Sequence, residues 1–214
     1  PMVIEIKGTL RTIRTDFVSF KGLGQAVNDV YEQRRSDIVE AARQLYEERG
    51  LSRTSVKDIA ERAGITRSLF YHYFPDKQAV TSAVLDDFVE DYIEALSIWN
   101  NERMTGEIEQ ALDGVVRVLR VSVFEGSSFR RALDTRENAA LYIEFINRVA
   151  DRTARYIVDT TVRDYSELHS VSIVHLYETF YILILGICGY IRTHQDVSDE
   201  VLKDIIAQSL HMER

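Results

Sequence analysis

The sequence predicts an all-α protein in two parts, and three observations carry that reading. Only 2 prolines and 10 glycines occur in 214 residues, so turn signals are scarce and long helices are favoured over many short strands. Apolar residues recur three and four apart in long stripes, the spacing of one buried helical face. The interruptions between stripes are short and well separated. The expected divisions are an N-terminal extension over 1–24, a three-helix unit over 25–75 and a larger helical unit over 76–214.

The first helix follows from Val27, Val30, Tyr31, Ile38, Ala41, Ala42, Leu45 and Tyr46, which keep one stripe inside. Gly50 ends it as a left-handed cap. Thr54 or Ser55 caps a second, short helix with Val56, Ile59, Ala60 and Ala63 inward, and Gly64 stops it after about two turns. Thr66 caps a third at once, and Phe74-Pro75 closes it. Pro75 then suits the first turn of a fourth helix, where a proline loses no hydrogen bond. Beyond it, breaks are expected at Asn100 to Gly106, Glu125 to Ser128, Thr135 to Asn138, Tyr165 to Ser170 and His194 to Ser198. Between them run stripes such as Val115, Leu119, Val123 and Leu141, Phe145, Val149.

Composition narrows the function. The chain is 45% hydrophobic, enough to bury a core. One cysteine, Cys188, excludes an intramolecular disulfide and fits a reducing compartment. No basic stretch followed by an apolar core opens the sequence, so no secretory leader is expected, and Pro1-Met2 reads as a processing remnant or a shifted start. The most apolar run, Phe180 to Ile191, is shorter than the roughly 20 residues that span a bilayer. A cytoplasmic protein without a membrane partner is expected.

The net charge of −8 would discourage contact with nucleic acid. It is unevenly spread, however. Residues 1–80 carry 13 Lys and Arg against 11 Asp and Glu, whereas 81–214 carry 13 against 23. Contact with a phosphate backbone therefore belongs to the first 80 residues.

Two short helices joined by a tight glycine turn, with long helices on either side, are the plan of a helix-turn-helix. At about 100° per residue, Phe70, Tyr73 and Phe74 share one face of the second short helix. Ser68, Tyr71 and His72 lie toward the other, flanked by Arg67 and Leu69. The stretch SRTSVKDIAERAGITRSLFYHYFPDKQAV resembles the DNA-binding region of the tetracycline-repressor (TetR) family of bacterial transcription regulators. Thr54, Ile59-Ala60, Ala63-Gly64, Tyr71, Phe74 and Lys77 fall in register, and the resemblance runs from about Arg35 to Val80. Leu69-Phe70 departs from it, since a small residue and then a leucine are more usual.

The roles expected at this surface follow from chemistry. Thr54 and Thr66 sit at helix starts, where a hydroxyl and free N–H groups hold a phosphate oxygen or simply cap the helix. Arg67 and Ser68 occupy the end of the recognition helix that meets base edges, and Arg67 suits a guanine. Leu69 presses on a thymine methyl or closes the core. Tyr71 and His72 donate to phosphates, and Lys77 adds an ammonium near the start of the fourth helix. The first thirty residues fit the family poorly. Lys7, Arg11, Arg14 and Lys21 form either a minor-groove arm or a segment docked on protein.

For the larger unit the resemblance is one of layout, implying a small-molecule effector pocket and a homodimer made by the last two helices. Phe88, Tyr92, Phe124, Tyr142, Phe145, Tyr177 and Tyr181 are the candidate pocket lining, apolar bodies mixed with phenol groups. Val201, Leu202, Ile205, Ile206 and Leu210 make a stripe wider than one neighbour covers, and Gly186 and Gly189 point to close helix packing. A two-fold dimer would read a palindromic stretch of double-stranded DNA, most simply as a repressor released by its effector.

Two other readings compete with this one. A carboxylate-bridged metal enzyme needs Glu-x-x-His pairs, and none of His72, His169, His175, His194 or His211 has a Glu three residues before it. A zinc His-Glu-x-x-His, a phosphate loop and a nucleophile elbow are also missing, and Gly22-Leu23-Gly24 lacks a third glycine in register. No enzyme, metal or cofactor is expected. An interaction protein that keeps the fold but binds a protein partner is compatible with the acidic second part.

Overall fold

The computed structural model describes residues 12–104, 107–121, 133, 138–166 and 173–212, with side chains from residue 28 onward apart from 164 and 165. Every regular element among these is helical. In chain order they are α1 (Thr12–Arg49), α2 (Val56–Arg62), α3 (Arg67–Tyr73), α4 (Lys77–Glu102), α5 (Ile108–Leu119), α6 (Ala139–Asp159), α7 (Thr161–Ser166), α8 (Leu176–Thr193) and α9 (Asp199–Ser209).

The helix α1 begins well before Val27, so residues 12–24 of the expected extension, the Gly22-Leu23-Gly24 triplet included, are helical backbone. Lys7 and Arg11 lie outside the described residues. The inward stripe starts later than the periodicity predicts: Val30 is 64% exposed, and continuous burial begins at Ile38. The reason is length, because α2, α3 and α4 cover only the C-terminal part of a 38-residue helix. At its end Gly50 takes φ +86° and donates its amide to the Tyr46 carbonyl at 3.0 Å, the left-handed cap that glycine adopts without strain.

Ser55, rather than Thr54, caps α2. It accepts the Asp58 amide while the Asp58 carboxylate accepts the Ser55 amide at 2.8 Å, a reciprocal capping box. Gly64 turns the chain at φ +65°, and Thr66 caps α3 by accepting the Leu69 amide at 3.2 Å. Pro75 stands outside the fourth helix. Asp76 caps α4, accepting the Ala79 amide at 2.7 Å, because a carboxylate satisfies a free amide that a proline ring cannot.

The hub is α4. It packs against α1 on one side and against α5 and α6 on others, so it is buried nearly all round through Val80, Val84, Leu85, Phe88, Val89, Tyr92 and Leu96. Behind it α6 packs on α8 and α7, and α9 on α5 and α8.

Candidate functional site

The short helix α3 divides its residues as the periodicity predicts. Phe70 is 0% exposed and Phe74 is buried, while Arg67, Ser68, Leu69, Tyr71 and His72 face solvent, Tyr71 at 46%. The inward rings fix the outward ones. Phe70 lies edge-on to Tyr71 with centroids 5.6 Å apart, and the Arg35 guanidinium sits 5.1 Å from the Phe74 ring. Tyr31 of α1 stacks on Tyr73 at 4.7 Å and meets the edge of His72 at 6.1 Å. His72 is thereby held by α1, a contact that no local pattern in α3 announces.

Two of the expected DNA contacts are engaged inside the protein instead. Thr54 is 2% exposed; its hydroxyl donates to the Gly50 carbonyl at 2.9 Å and its amide to the Leu51 carbonyl at 3.2 Å. It ties the loop before α2, and its donors do not face outward. Lys77 turns its Nζ onto the Leu51 carbonyl at 2.6 Å, and partial burial lowers its pKa. Its ammonium pins the start of α4 to the α1–α2 loop. Lys57 of α2 is an exposed cation that the sequence pattern does not single out.

A cation-rich seam couples this unit to the rest. Arg43 of α1 pairs with Asp87 and, at 2.5 Å, with Asp91, its guanidinium 4.2 Å from the Phe88 ring. The buried Tyr46 hydroxyl meets Thr81 Oγ1 at 2.8 Å, and Thr81 itself donates to the Lys77 carbonyl at 2.8 Å. Tyr46 is therefore the donor to Thr81. Burial pushes its pKa up to about 12, so the hydroxyl keeps its proton. On an adjacent face of α4, about 100° round the helix, Arg148 of α6 donates to the Ser82 carbonyl at 2.7 Å and to Asp86 at 2.8 Å, and Arg152 pairs with Glu90 at 2.7 Å.

Further along, α4 and α5 to α9 leave a cavity of about 190 Å³ between them. Of the seven aromatic residues expected to line it, Tyr92 does so. Phe88, Tyr142 and Phe145 are buried in the core, with the Arg192 guanidinium 3.9 Å from the Tyr142 ring. Tyr177 donates to Asp151 at 2.6 Å and Tyr181 to Asn147 at 3.0 Å, both binding α8 to α6. Phe124 lies outside the described residues.

The walls are mostly apolar, with Leu112, Phe180 and Ile187 among them, and also include Trp99, the single tryptophan of the chain. Its indole lies across Gly114 of α5, where a Cβ would run into Nε1. Such a glycine costs about 1 kcal/mol relative to alanine inside a helix, and the indole explains its presence. The chain end closes one side, since His211 takes φ +54° after α9 and lets the Met212 amide reach the Ala207 carbonyl at 2.9 Å.

Among the expected interface residues, Gly186, Gly189, Val201 and Ile205 face outward, and a Cβ on either glycine would meet nothing within 4 Å. Leu202 and Ile206 turn into the chain's own core, because α9 packs that edge on α5 and α8. The carboxylates of Glu109, Asp113 and Glu200 converge within 4.8 Å of one another. A metal is not needed to hold them. Lys203, 3% exposed, places its Nζ 2.7, 2.8 and 2.5 Å from Glu109, Asp113 and Glu200, and those hydrogen bonds, Asp113's first, raise its pKa.

Comparison with known proteins decides what the first surface belongs to. The profile described as "Bacterial regulatory proteins, tetR family" matches residues 38–84. Over those residues the chain is similar to the TetR family. Curated relatives include the HTH-type transcriptional regulator TtgR of Pseudomonas putida, 34% identical over 95 residues, covering 44% of this chain and 42% of TtgR. The HTH-type transcriptional repressor KstR2 of Rhodococcus jostii is 40% identical over 58 residues, 27% of this chain and 28% of KstR2. The chain thus spans less than half the length of the curated relatives it matches. Among solved structures, RolR in complex with resorcinol superimposes with a TM-score of 0.57 over 86% of this chain and 89% of RolR. At 22% identity that likeness establishes the fold. The relatives are regulators of transcription rather than enzymes. No helix among the described residues is long and apolar enough to cross a membrane.

Proposed function

We propose that this chain is a cytoplasmic transcription regulator that binds a palindromic operator as a homodimer and acts as a repressor released by a small-molecule effector. The observation that carries the reading is the outward row on α3. Thr66, Arg67, Ser68, Leu69, Tyr71 and His72 are exposed on a helix whose other face is locked by Phe70 and Phe74. In this assignment Arg67 and Ser68 read base edges, Leu69 meets a thymine methyl, and Thr66, Tyr71 and His72 hold phosphates. Lys57 takes the cationic role first expected of Lys77.

A homodimer is supported by an unpartnered apolar face on the last two helices. Ile182, Gly186, Gly189 and Tyr190 of α8 and Val201 and Ile205 of α9 are exposed, and the small residues permit close approach of a second copy. Two-fold symmetry would set the recognition helices roughly 34 to 36 Å apart, one turn of DNA. Effector control is supported by α4, which lines the cavity with Tyr92 and Trp99, meets α1 through Arg43 and Tyr46, and meets the α1–α2 loop through Lys77. A ligand that favours one position of α4 shifts α1 to α3 with it, and so the spacing of the two reading heads. RolR, of the same fold, was solved with resorcinol bound, and KstR2 is named a repressor. No cofactor enters the scheme.

The test is selection of genomic fragments by the purified protein, followed by titration of the enriched site at two salt concentrations. A palindromic site whose affinity falls with salt is expected. Arg67→Ala should weaken binding about 10- to 100-fold and relax one base position, in line with the roughly 1 to 3 kcal/mol of a bidentate contact. A folded dimer that enriches no site would refute the reading.

A further inference from the structure

Three rings bring α1 to the end of the recognition helix. Tyr31 stacks on Tyr73 with centroids 4.7 Å apart and stands at 80° to the His72 ring, 6.1 Å away. His72 and Tyr73 meet edge to face at 5.4 Å. One turn further along α1, the Arg35 guanidinium lies 5.1 Å from the Phe74 ring. Two positions of α1, four apart on one face, therefore hold the consecutive residues His72, Tyr73 and Phe74. Both contacts of Tyr31 are made by its ring. The helix that carries it starts at Thr12, about five turns earlier, so Tyr31 stands inside a continuous helix and not in a fraying first turn. Continuous burial begins only at Ile38, and the core of the three-helix unit does not account for a ring at position 31.

In the proposed function His72 donates to a phosphate. An exposed side chain that is fixed only on binding loses rotamer freedom, and the loss is avoided where a neighbouring ring already holds it. Tyr71, the other phosphate donor on this row, has such a neighbour within α3, Phe70 at 5.6 Å. The rings beside His72 are Tyr73, which itself rests on Tyr31, and Tyr31. We propose that Tyr31 is a positioning residue for operator binding, its ring holding His72 in the orientation in which the imidazole meets the DNA backbone. This rests on the DNA-binding reading above and extends the support of the reading surface from α3 onto α1. Tyr31 acts through His72 and not by touching DNA. A phosphate contact carries no sequence information, so Tyr31 governs affinity, whereas Arg67 governs base preference.

Three variants of the full chain separate the ring, the hydroxyl and the route, each titrated with the enriched operator. Tyr31→Leu removes the aromatic contacts and should weaken binding about two- to tenfold per half-site, the range set by immobilising one flexible side chain. Operators altered at single bases should lose affinity by the same factor. Tyr31→Phe keeps both ring contacts and should bind within about twofold of the native protein. In a His72→Ala background, Tyr31→Leu should change affinity by less than about twofold, because its route to the DNA is gone. Thermal unfolding is recorded alongside, since a role in stability alone would lower the midpoint of Tyr31→Leu and leave the affinity of the folded protein unchanged. Should Tyr31→Leu fail to fold, the χ1 angle of His72 in the native protein decides, measured from three-bond couplings. One rotamer, kept when operator is added, is expected, and averaging over rotamers in the free protein would overturn the inference. It is also overturned if Tyr31→Leu binds as tightly as the native protein, if Tyr31→Phe binds as weakly as Tyr31→Leu, or if the loss is as large without His72. Failure of the native protein to bind any operator bears on the proposed function, whereas these outcomes with native binding intact bear on Tyr31 alone.

Discussion

The outer face of α3 and the cavity behind α4 place opposite demands on a sequence. The first is made by one helix of seven residues, where inward and outward positions alternate by a fixed angle. The second is a gap left where several helices fail to touch, so no single segment defines it. A binding surface of the first kind is written locally. One of the second kind depends on where distant helices come to rest, and Trp99 in its wall and Gly114, on which that indole lies, belong to different helices.

The largest effect that bears on this contrast comes from two neighbouring rings. Phe70→Ala should cost about 3 to 5 kcal/mol in denaturant unfolding, as expected for a fully buried phenylalanine. Tyr71→Phe should leave stability within about 0.5 kcal/mol and weaken the operator evenly across sequences, as loss of a phosphate donor does. Equal stability losses at both positions would break the inward-outward division of α3.

Next in size is the cavity wall. Gly114→Ala gains about 1 kcal/mol of helix propensity but forces a methyl into the Trp99 indole, and overpacking of this kind costs about 1 to 3 kcal/mol. A lower unfolding midpoint together with shifted tryptophan emission is expected. A more stable variant with unchanged emission would mean that the indole does not lie across Gly114.

The seam between the two regions gives a smaller effect. Tyr46→Phe removes the donor to Thr81, about 1 kcal/mol by the usual worth of a buried neutral hydrogen bond, readable as a lowered urea midpoint. The smallest effect is confined to acid. The Ser55 hydroxyl and amide, aided by Arg49, hold the Asp58 carboxyl down at about 2, below its unfolded value of 3.8. The stabilisation is therefore complete above about pH 4 and is lost as pH falls toward about 2. Thermal midpoints of the native protein and of Asp58→Asn should differ at about pH 5 and converge near pH 2. A gap that persists at the acid end would remove Asp58 from the capping box.

The three-helix unit was legible because its signals are short-range. Gly50 and Gly64 adopt the left-handed turns expected of them, and Thr66 caps α3. Errors arose where a side chain found a partner far along the chain. Lys77 reads as a free cation until the Leu51 carbonyl, 26 residues away, is placed beside it. Thr54 and Ser55 are equally good caps on paper, and the carbonyls of Gly50 and Leu45 draw Thr54 inward. In the larger unit, aromatic content misled, since Tyr177 and Tyr181 cross-link helices rather than face the cavity. A lone tryptophan and a glycine inside a strongly amphipathic helix were the available clues, and they gain meaning only together.

The contacts along α4 also say where such a protein can be cut and rejoined. Pro75 looks like the natural joint, yet Arg43 and Tyr46 find Asp87, Asp91 and Thr81 beyond it. A hybrid spliced at Pro75 would hand α1 a foreign α4 and leave a guanidinium and a phenol facing whatever side chains that helix supplies. One spliced after Asp91 would carry the reading head with those partners and leave Tyr92 and Trp99 to the sensor, but it would part Ser82, Asp86 and Glu90 from Arg148 and Arg152. A hybrid cut there keeps its packing only if positions 148 and 152 of α6 travel with the reading head.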